Sequence, residues 1–165
     1  MLKKLMILGT ACFLLSISPL VCSAGPAGRD FAFGWQFSRP ATGFSLKIPY
    51  QKDFFLQPIL AVSLNKNDTF TTSHCSLGLR GIYNLPKRQD FLPYTGVSLG
   101  YSQDYKRTAD SSDANENTAF EAFFGVEYQR YLLRPSLEIG IGGLRKTNGS
   151  FYAGVIYNVS VMYYF

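Results

Sequence analysis

The sequence predicts an all-β fold, an eight-stranded antiparallel up-and-down transmembrane β-barrel. Apolar residues recur at every second position through eight segments, and short turn-rich stretches separate those segments. Charged residues make up only 16% of the chain, against about 25% in soluble domains, and aromatic residues make up another 16%. Alternation at period two is typical of strands whose two faces meet different surroundings. The composition fits a protein whose waist is surrounded by lipid.

The first 24 residues resemble a secretory signal peptide. A basic head with Lys3 and Lys4 precedes an apolar stretch, which ends at the small residue Ala24. We expect cleavage there, which leaves residues 25–165 as one barrel domain of roughly 141 residues. Removal of the leader leaves Cys75 as the only thiol, so the exported chain forms no internal disulfide.

The first two strands carry the most aromatic face of the chain. The first reads DFAFGWQFS at positions 30–38, and a turn at 39–41 leads into the second, which ends before a turn at 51–53. A core rarely needs four aromatic rings on one face of a strand, whereas a lipid-facing stripe does. The predicted outward residues are Phe31, Phe33, Trp35, Phe37, Thr42, Phe44, Leu46, Ile48 and Tyr50.

The third and fourth strands are predicted over about 54–64 and 73–83, on either side of a polar loop at 65–72. Pro58 interrupts the third because it has no N–H to donate, which leaves the register there open. The fourth places Leu77 and Leu79 outward and Arg80 inward. A turn over 84–90 leads to the fifth strand, at 91–101.

Residues 102–118, SQDYKRTADSSDANENT, contain almost no apolar side chain and are predicted to form one long mobile loop. The sixth and seventh strands follow at about 119–129 and 134–143, then a loop with an Asn-Gly turn signal at 148–149, then the closing strand. Longer connections at one end and shorter ones at the other are typical of outer-membrane barrels.

The closing strand, SFYAGVIYNVSVMYYF, carries the clearest family signal. Its alternating apolar residues and terminal phenylalanine resemble the C-terminal signal by which bacterial outer-membrane barrels are recognised for assembly. The residues of this signal are Tyr157, Val159, Val161, Tyr163 and Phe165. In layout the chain is similar to small eight-stranded barrels of the opacity-protein and OmpA-like transmembrane type. The resemblance implies location in the cell outer membrane, with lipid and the barrel-assembly machinery as partners, and a monomeric state.

Six charged residues fall on the predicted inward faces, three of each sign: Lys47, Arg80, Glu121, Glu127, Arg134 and Glu138. The interior of an eight-stranded barrel is just wide enough for side chains to fill. Buried charges must pair, because an unpaired one costs several kcal/mol. We therefore expect a structural ion-pair network that fills the lumen, with a polar path for ions or small solutes as the alternative.

Enzymatic and cofactor-dependent functions find little support in the sequence. His74 is the only histidine; it lies beside Ser73 and Ser76, with no acid close in sequence. Scattered carboxylates give no metal-ligand spacing, and the basic residues form no patch for nucleic acid. We expect no catalytic residue, cofactor or metal. A lipid A-modifying enzyme through His74 remains a minor alternative.

The leading functional hypothesis is a structural or surface-interaction role, such as adhesion, host-factor binding or membrane integrity, acting chiefly through the 102–118 loop. The alternatives are a narrow channel or small-solute binder, and a soluble periplasmic ligand-binding barrel. The sequence does not identify a surface ligand.

Overall fold

The computed structural model describes residues 31–38, 41–66, 70–108 and 112–165. Eight antiparallel strands each pair with the next in sequence, and the last pairs with the first, so the sheet closes into a barrel. This confirms the predicted fold. The strands are β1 Ala32–Phe37, β2 Gly43–Pro49, β3 Phe54–Lys66, β4 Phe70–Asn84, β5 Phe91–Thr108, β6 Ser112–Tyr128, β7 Leu133–Lys146 and β8 Phe151–Tyr164.

The two faces of the sheet follow the predicted alternation. On β1, Trp35 is 44% exposed, whereas the neighbouring Gln36 is completely buried. The same contrast runs around the barrel: the outer surface is apolar, whereas the buried interior mixes polar and charged side chains with apolar ones such as Phe55, Ile82 and Phe123. Ile48 is an exception, since it lies on the outward parity of β2 yet is buried. No helix among the described residues is long and apolar enough to cross a membrane.

Two predicted loops are wrong. The predicted 102–118 loop is a β-hairpin, because β5 and β6 stay paired from Ser102 opposite Asn117 to Arg107 opposite Ser112. Likewise, β3 and β4 continue through the predicted 65–72 loop as far as Lys66 opposite Thr71. Cross-strand pairing holds these segments extended although they contain few apolar residues.

The described residues on either side of positions 39–40, in the β1–β2 connection, bond to one another instead. The Ser38 hydroxyl donates to the Ala41 carbonyl at 2.6 Å, and the Thr42 hydroxyl donates to the Ser38 carbonyl at 2.9 Å. Ala41 is buried, and a methyl group added to Gly78 of β4 would lie only 2.6 Å from the Ala41 side chain. We call residues 38 and 41–42 the turn cap. Its Ser38 and Ala41 are buried at the end of the β1–β2 hairpin that lies opposite to the chain's C-terminus.

Pro58 affects only one of its two neighbouring strands. The β3–β4 ladder runs unbroken past Pro58, which lies opposite Leu79. The β2–β3 ladder skips from Ser45 opposite Ile59 to Ile48 opposite Leu56. The missing N–H therefore interrupts pairing toward β2 and leaves the register unchanged.

Two short connections also match their sequence signals. Gly149 adopts φ = 83°, a left-handed conformation suited to glycine, in the predicted Asn-Gly turn between β7 and β8. The predicted turn over 84–90 holds an isolated bridge between Arg88 and Phe91. The predicted signal peptide, residues 1–24, and parts of the upper connections (39–40, 67–69 and 109–111) lie outside the described residues.

Candidate functional site

The structure places all six charged residues of the predicted network on the inner face of the barrel. They come from four strands: β2 supplies Lys47, β4 supplies Arg80, β6 supplies two glutamates and β7 supplies Arg134 and Glu138. Five of the six are almost completely buried, whereas 16% of the Arg134 side chain is exposed. These charges form two clusters at different heights.

The lower cluster lies at the end where β1 begins and β8 ends. Lys47 Nζ donates to Glu127 Oε2 at 3.1 Å and to the Tyr164 hydroxyl at 2.8 Å. The Tyr164 hydroxyl in turn donates to Glu127 at 2.5 Å. Arg134 Nη1 lies 3.7 Å from Glu127 Oε1, and its guanidinium sits 3.8 Å from the centre of the Tyr164 ring. Two cations therefore share one carboxylate.

The middle cluster is centred on Glu138. Its Oε1 accepts hydrogen bonds from Arg80 Nη2 and from the Tyr94 hydroxyl, both at 2.7 Å. Its Oε2 accepts from Asn158 Nδ2 at 3.0 Å. Gln36 Nε2 also donates to Oε2, at 3.5 Å. A carboxylate with four donors, one of them charged, is well compensated for the loss of water.

Glu121 belongs to the same cluster but receives only neutral donors. Asn158 Nδ2 donates to it at 2.8 Å and the Ser98 hydroxyl at 3.4 Å. The Arg80 guanidinium lies over the Phe123 ring, 4.2 Å from the ring centre, and its Nε and Nη1 have no hydrogen-bond partner. Stacking on the aromatic face stabilises part of that buried charge.

The ion pairs cross the lumen rather than following the sheet. Arg80 lies opposite Ser98, which lies opposite Glu121, so Glu121 is the nearest acid along the ladder. Arg80 nevertheless bonds Glu138 on β7. Lys47 on β2 reaches Glu127 on β6, half-way round the barrel. Such bonds fill the interior and hold opposite walls together.

Sequence reasoning missed the neutral members of these clusters. Tyr94, Tyr164 and Asn158 bond the buried carboxylates directly, and Gln57 Nε2 donates to the Ser45 hydroxyl at 3.0 Å. All of them have the inward parity that the alternation assigns. A hydroxyl or amide side chain at an inward position of a narrow barrel could therefore have been predicted to bond the buried charges.

His74 has an acidic partner that the sequence does not reveal. It lies on the inward parity of β4, opposite Asp104 of β5, and its Nδ1 is 2.7 Å from Asp104 Oδ1. Asp104 falls within the segment predicted to be a loop, so strand extension brings the two together. Both side chains are more than a third exposed. Among the described residues, no group of three His, Cys, Asp or Glu side chains is placed to hold a metal ion.

The residues of the predicted assembly signal line the outer face of β8. Their side chains, those of Tyr157, Val159, Val161, Tyr163 and Phe165, alternate with the buried inner residues of the strand. The Phe165 N–H donates to the Phe31 carbonyl at 3.1 Å, and the rings of these two residues stack with centroids 6.3 Å apart. The end of the chain thereby seals the β1–β8 seam.

Above the clusters, the β5–β6 hairpin rises as a polar arm, which we define as residues 102–108 and 112–117. Gln103 Nε2 donates to Glu116 at 3.3 Å across the pair. Lys106 lies opposite Asp113 on the ladder. The Glu116 N–H donates to the Thr147 hydroxyl at 2.7 Å, which ties the arm to the β7–β8 turn. The arm is therefore held in place by pairing between its two strands and by a hydrogen bond to the β7–β8 turn.

Comparison with protein-family models and with curated protein sequences gives no match. Among solved structures, the chain is similar to the N-terminal β-barrel domain of Pseudomonas aeruginosa OprF, with a TM-score of 0.52 and 14% identity over 82% of this chain and 96% of that chain. It also matches Ail, the attachment invasion locus protein of Yersinia pestis (TM-score 0.45, 10% identity, 82% and 94% covered). A third match is Neisserial surface protein A (TM-score 0.45, 17% identity, 82% and 92% covered).

Likeness at this level of identity concerns the fold. The OprF barrel domain and the closed strand order observed here lead to the same assignment. The chain has the fold of the small eight-stranded outer-membrane β-barrels.

Proposed function

We propose that this protein is exported through the predicted signal peptide at 1–24, spans the bacterial outer membrane as a monomer, and presents its polar arm at the cell surface as a binding element. One observation carries the proposal: a single barrel combines an apolar outer surface with a hairpin that continues, fully paired, into a polar extension. The apolar surface suits hydrocarbon, and the polar extension suits water.

The packed interior favours an anchoring and display role over conduction. Two clusters of buried, bonded side chains occupy the lumen. A narrow channel needs a continuous aqueous path, and an eight-stranded barrel has little room for one. A lipid-modifying enzyme would need a nucleophile hydrogen-bonded to the His74–Asp104 pair; Ser63 lies opposite His74 on the ladder, but among the described residues no hydrogen bond joins its hydroxyl to the His74 ring. We therefore propose no catalytic role.

The closing strand has a proposed second role in assembly. Its exposed alternate residues, which end at Phe165, form the surface that the barrel-assembly machinery would recognise. Phe165→Ala should lower the amount of folded barrel in the outer membrane more than Phe151→Ala, the same substitution on the outer face at the other end of the strand. Equal yields of the two variants would contradict this role.

Membrane placement is tested first. In a Cys75→Ala background, Ala114→Cys on the arm and Lys87→Cys in the turn at the opposite end provide matched exposed thiols. A membrane-impermeant maleimide on intact cells should label Ala114→Cys alone, and both variants should react after the outer membrane is opened. The protein should also run differently on gels before and after boiling. A soluble, boiling-insensitive protein would overturn the proposal.

The surface role is tested by shortening the arm. Replacing residues 105–114 with Asn-Gly leaves Asp104 and Asn115, already opposite each other, to close a two-residue turn. Cells that display the wild-type protein should bind a panel of immobilised serum and matrix proteins more strongly than cells that display the shortened variant. Purified wild-type protein should give no discrete conductance in planar bilayers. Unchanged binding by the shortened variant would show that the arm is not the binding element.

A further inference from the structure

The barrel wall is much lower at β1 and β2 than at their neighbours. Among the described residues, β2 pairs with β3 only as far as Phe44 opposite Leu60, although β3 runs on to Lys66. On the other side, β1 pairs with β8 only as far as Phe37 opposite Val159, although β8 starts at Phe151. A gap therefore opens in the wall above the turn cap, and we call it the lateral notch.

The outer surface beside the notch remains apolar. Val62 and Leu64 on β3 are 65% and 76% exposed, and Val155 on β8 is 59% exposed. All three lie beyond the last residues that pair with β1 and β2. Because strongly exposed aliphatic side chains belong in hydrocarbon, the outer side of the notch opens at the upper edge of the apolar surface, where the polar arm begins. The inference rests on the membrane placement proposed above.

A cavity of about 470 Å³ occupies the notch on the β3 side. Outward residues of three strands line it, namely Trp35, Phe44, Leu60 and Val62. The inward residues Ala61, Ser63 and His74 line the same cavity. One space can touch both faces of β3 only where the edge of that strand has no neighbour, and here it joins the lipid-facing surface to the inner face.

The chemistry of the cavity is divided along its length. Its outer part is aromatic and aliphatic, whereas Ser63 and the His74–Asp104 pair lie at its inner end. The β3 edge beyond Leu60 adds backbone hydrogen-bonding groups, and leaving such groups unsatisfied in hydrocarbon costs several kcal/mol each. A molecule with an apolar tail and a hydrogen-bonding head satisfies both parts at once.

We propose that the lateral notch binds a single-chain amphiphile from the membrane. Its acyl chain packs against Trp35, Phe44, Leu60 and Val62, and its polar head hydrogen-bonds at Ser63 and His74. The continuity of the cavity with the apolar outer surface favours a lipid-derived ligand over a water-soluble one. It also favours an acyl chain over a strand from a second copy, because the apolar lining continues outside the ladder.

Trp35 is the only tryptophan of the chain, so its fluorescence reports directly on this site. Purified protein in vesicles of saturated phosphatidylcholine is titrated with 9,10-dibromostearic acid, whose bromines quench indole on contact. A saturable component of quenching is expected at low mole fractions of the acid, above the linear background from chance contacts. The methyl ester of the acid should half-saturate at roughly three- to tenfold higher mole fraction, because its head forms fewer hydrogen bonds.

Ala61→Phe places a ring in the cavity and should remove the saturable component. Ala122→Phe adds the same ring to the outer face of β6, away from Trp35, and should leave it unchanged. His74→Gln should raise the mole fraction of the acid at half-saturation. The difference in half-saturation between the acid and the ester should become smaller. Folding of each variant is checked by the gel shift on boiling. If Ala61→Phe does not fold, the comparison of acid with ester and the His74→Gln variant still test whether the notch binds the amphiphile.

Three results would overturn the proposal. The first is purely linear quenching of the wild-type protein. The second is saturable quenching that is equal for acid and ester and unchanged by His74→Gln. The third is a dimer that Ala61→Phe disrupts, since a second copy would then occupy the notch. The thiol-labelling experiment tests membrane placement separately, so a failure there is distinguishable from an empty notch.

Discussion

The β1–β2 and β5–β6 hairpins are the same topological unit, yet they end at very different heights. The strands of the first hairpin end at Phe37 and begin again at Gly43. The second continues to Thr108 and Ser112 with an unbroken ladder. Within the barrel both hairpins alternate between an apolar outer face and a polar or small inner face. Above it, β5 and β6 are held together by polar pairs.

The comparison shows that one strand can obey two rules along its length. In hydrocarbon, the outward residues must be apolar and the interior must be filled and electrically compensated. In water, neither face is constrained in this way, and cross-strand pairs of about 0.2–1 kcal/mol each hold the ladder together. Substitutions inside the barrel should therefore have much larger effects than equivalent ones in the arm.

The largest effect is expected from Arg80→Met. It leaves Glu138 buried with Tyr94 and Asn158 but without a cation, and breaking a buried pair in this way costs about 3–5 kcal/mol. Urea unfolding in detergent, followed by the gel shift, measures the change in the free energy of unfolding. The double variant Arg80→Met/Glu138→Gln should regain a large part of the loss. If Arg80→Met alone had the same unfolding midpoint as wild type, Arg80 would not be the group that compensates the buried charge of Glu138.

A smaller but still clear effect is expected from Gly34→Val in β1. A Cβ at this position would overlap the Val161 carbonyl oxygen and lie 2.8 Å from Met162 Cα, so backbone must move, at a cost of about 1–3 kcal/mol. Gly154→Val in β8 is the matched control, since an added Cβ there meets nothing within 4 Å. Its unfolding midpoint should stay close to wild type. Equal losses in the two variants would refute the contrast between a tight lower barrel and an open upper wall.

Asp104→Ala tests the exposed counterpart of the buried pairs. The His74–Asp104 contact is as short as the Arg80–Glu138 contact, at 2.7 Å, but its side chains are largely solvated. Exposed pairs contribute about 0–1 kcal/mol, so the loss in the free energy of unfolding should stay below about 1 kcal/mol. High salt should reduce it further, whereas the effect of Arg80→Met should persist. A loss as large as that of Arg80→Met would mean that contact distance outweighs burial here.

The smallest effect on stability is expected from the shortened arm. Replacing residues 105–114 with Asn-Gly removes segments above the barrel, among them the paired residues 105–107 and 112–114. The free energy of unfolding should therefore change by no more than about 0.5 kcal/mol. The variant should keep its shift on boiling. A large loss would show that the arm contributes to the barrel's own stability and is more than a display element.

The difference between the hairpins also explains which features the sequence could predict. Alternation identified all eight strands because lipid imposes an apolar residue at every second position. It missed the continuation of β5 beyond Tyr101 because both faces there meet water, so no apolar signal remains. Pairing such as Lys106 opposite Asp113 depends on two strands at once, and a single-strand pattern does not contain it.

The sequence predicted which residues line the interior, but not how they pair. Parity alone assigned Lys47, Arg80 and the three glutamates to the lumen. The sequence did not predict the partner of each charge. Arg80 bonds Glu138 across the barrel and not Glu121, the nearer acid along the ladder. Choosing between them requires the height of each residue on the curved wall, and that follows from the register of the closed sheet.

Closure of the sheet has a consequence for how the protein is made. Ala32 pairs with Tyr164, so the opening strand finds its neighbour only after the whole chain has emerged. Contacts between residues so far apart in sequence form slowly. Until they do, both seam edges stay open and prone to association with other chains. Protection of both edges therefore depends on β8, the last of the eight strands to be synthesised.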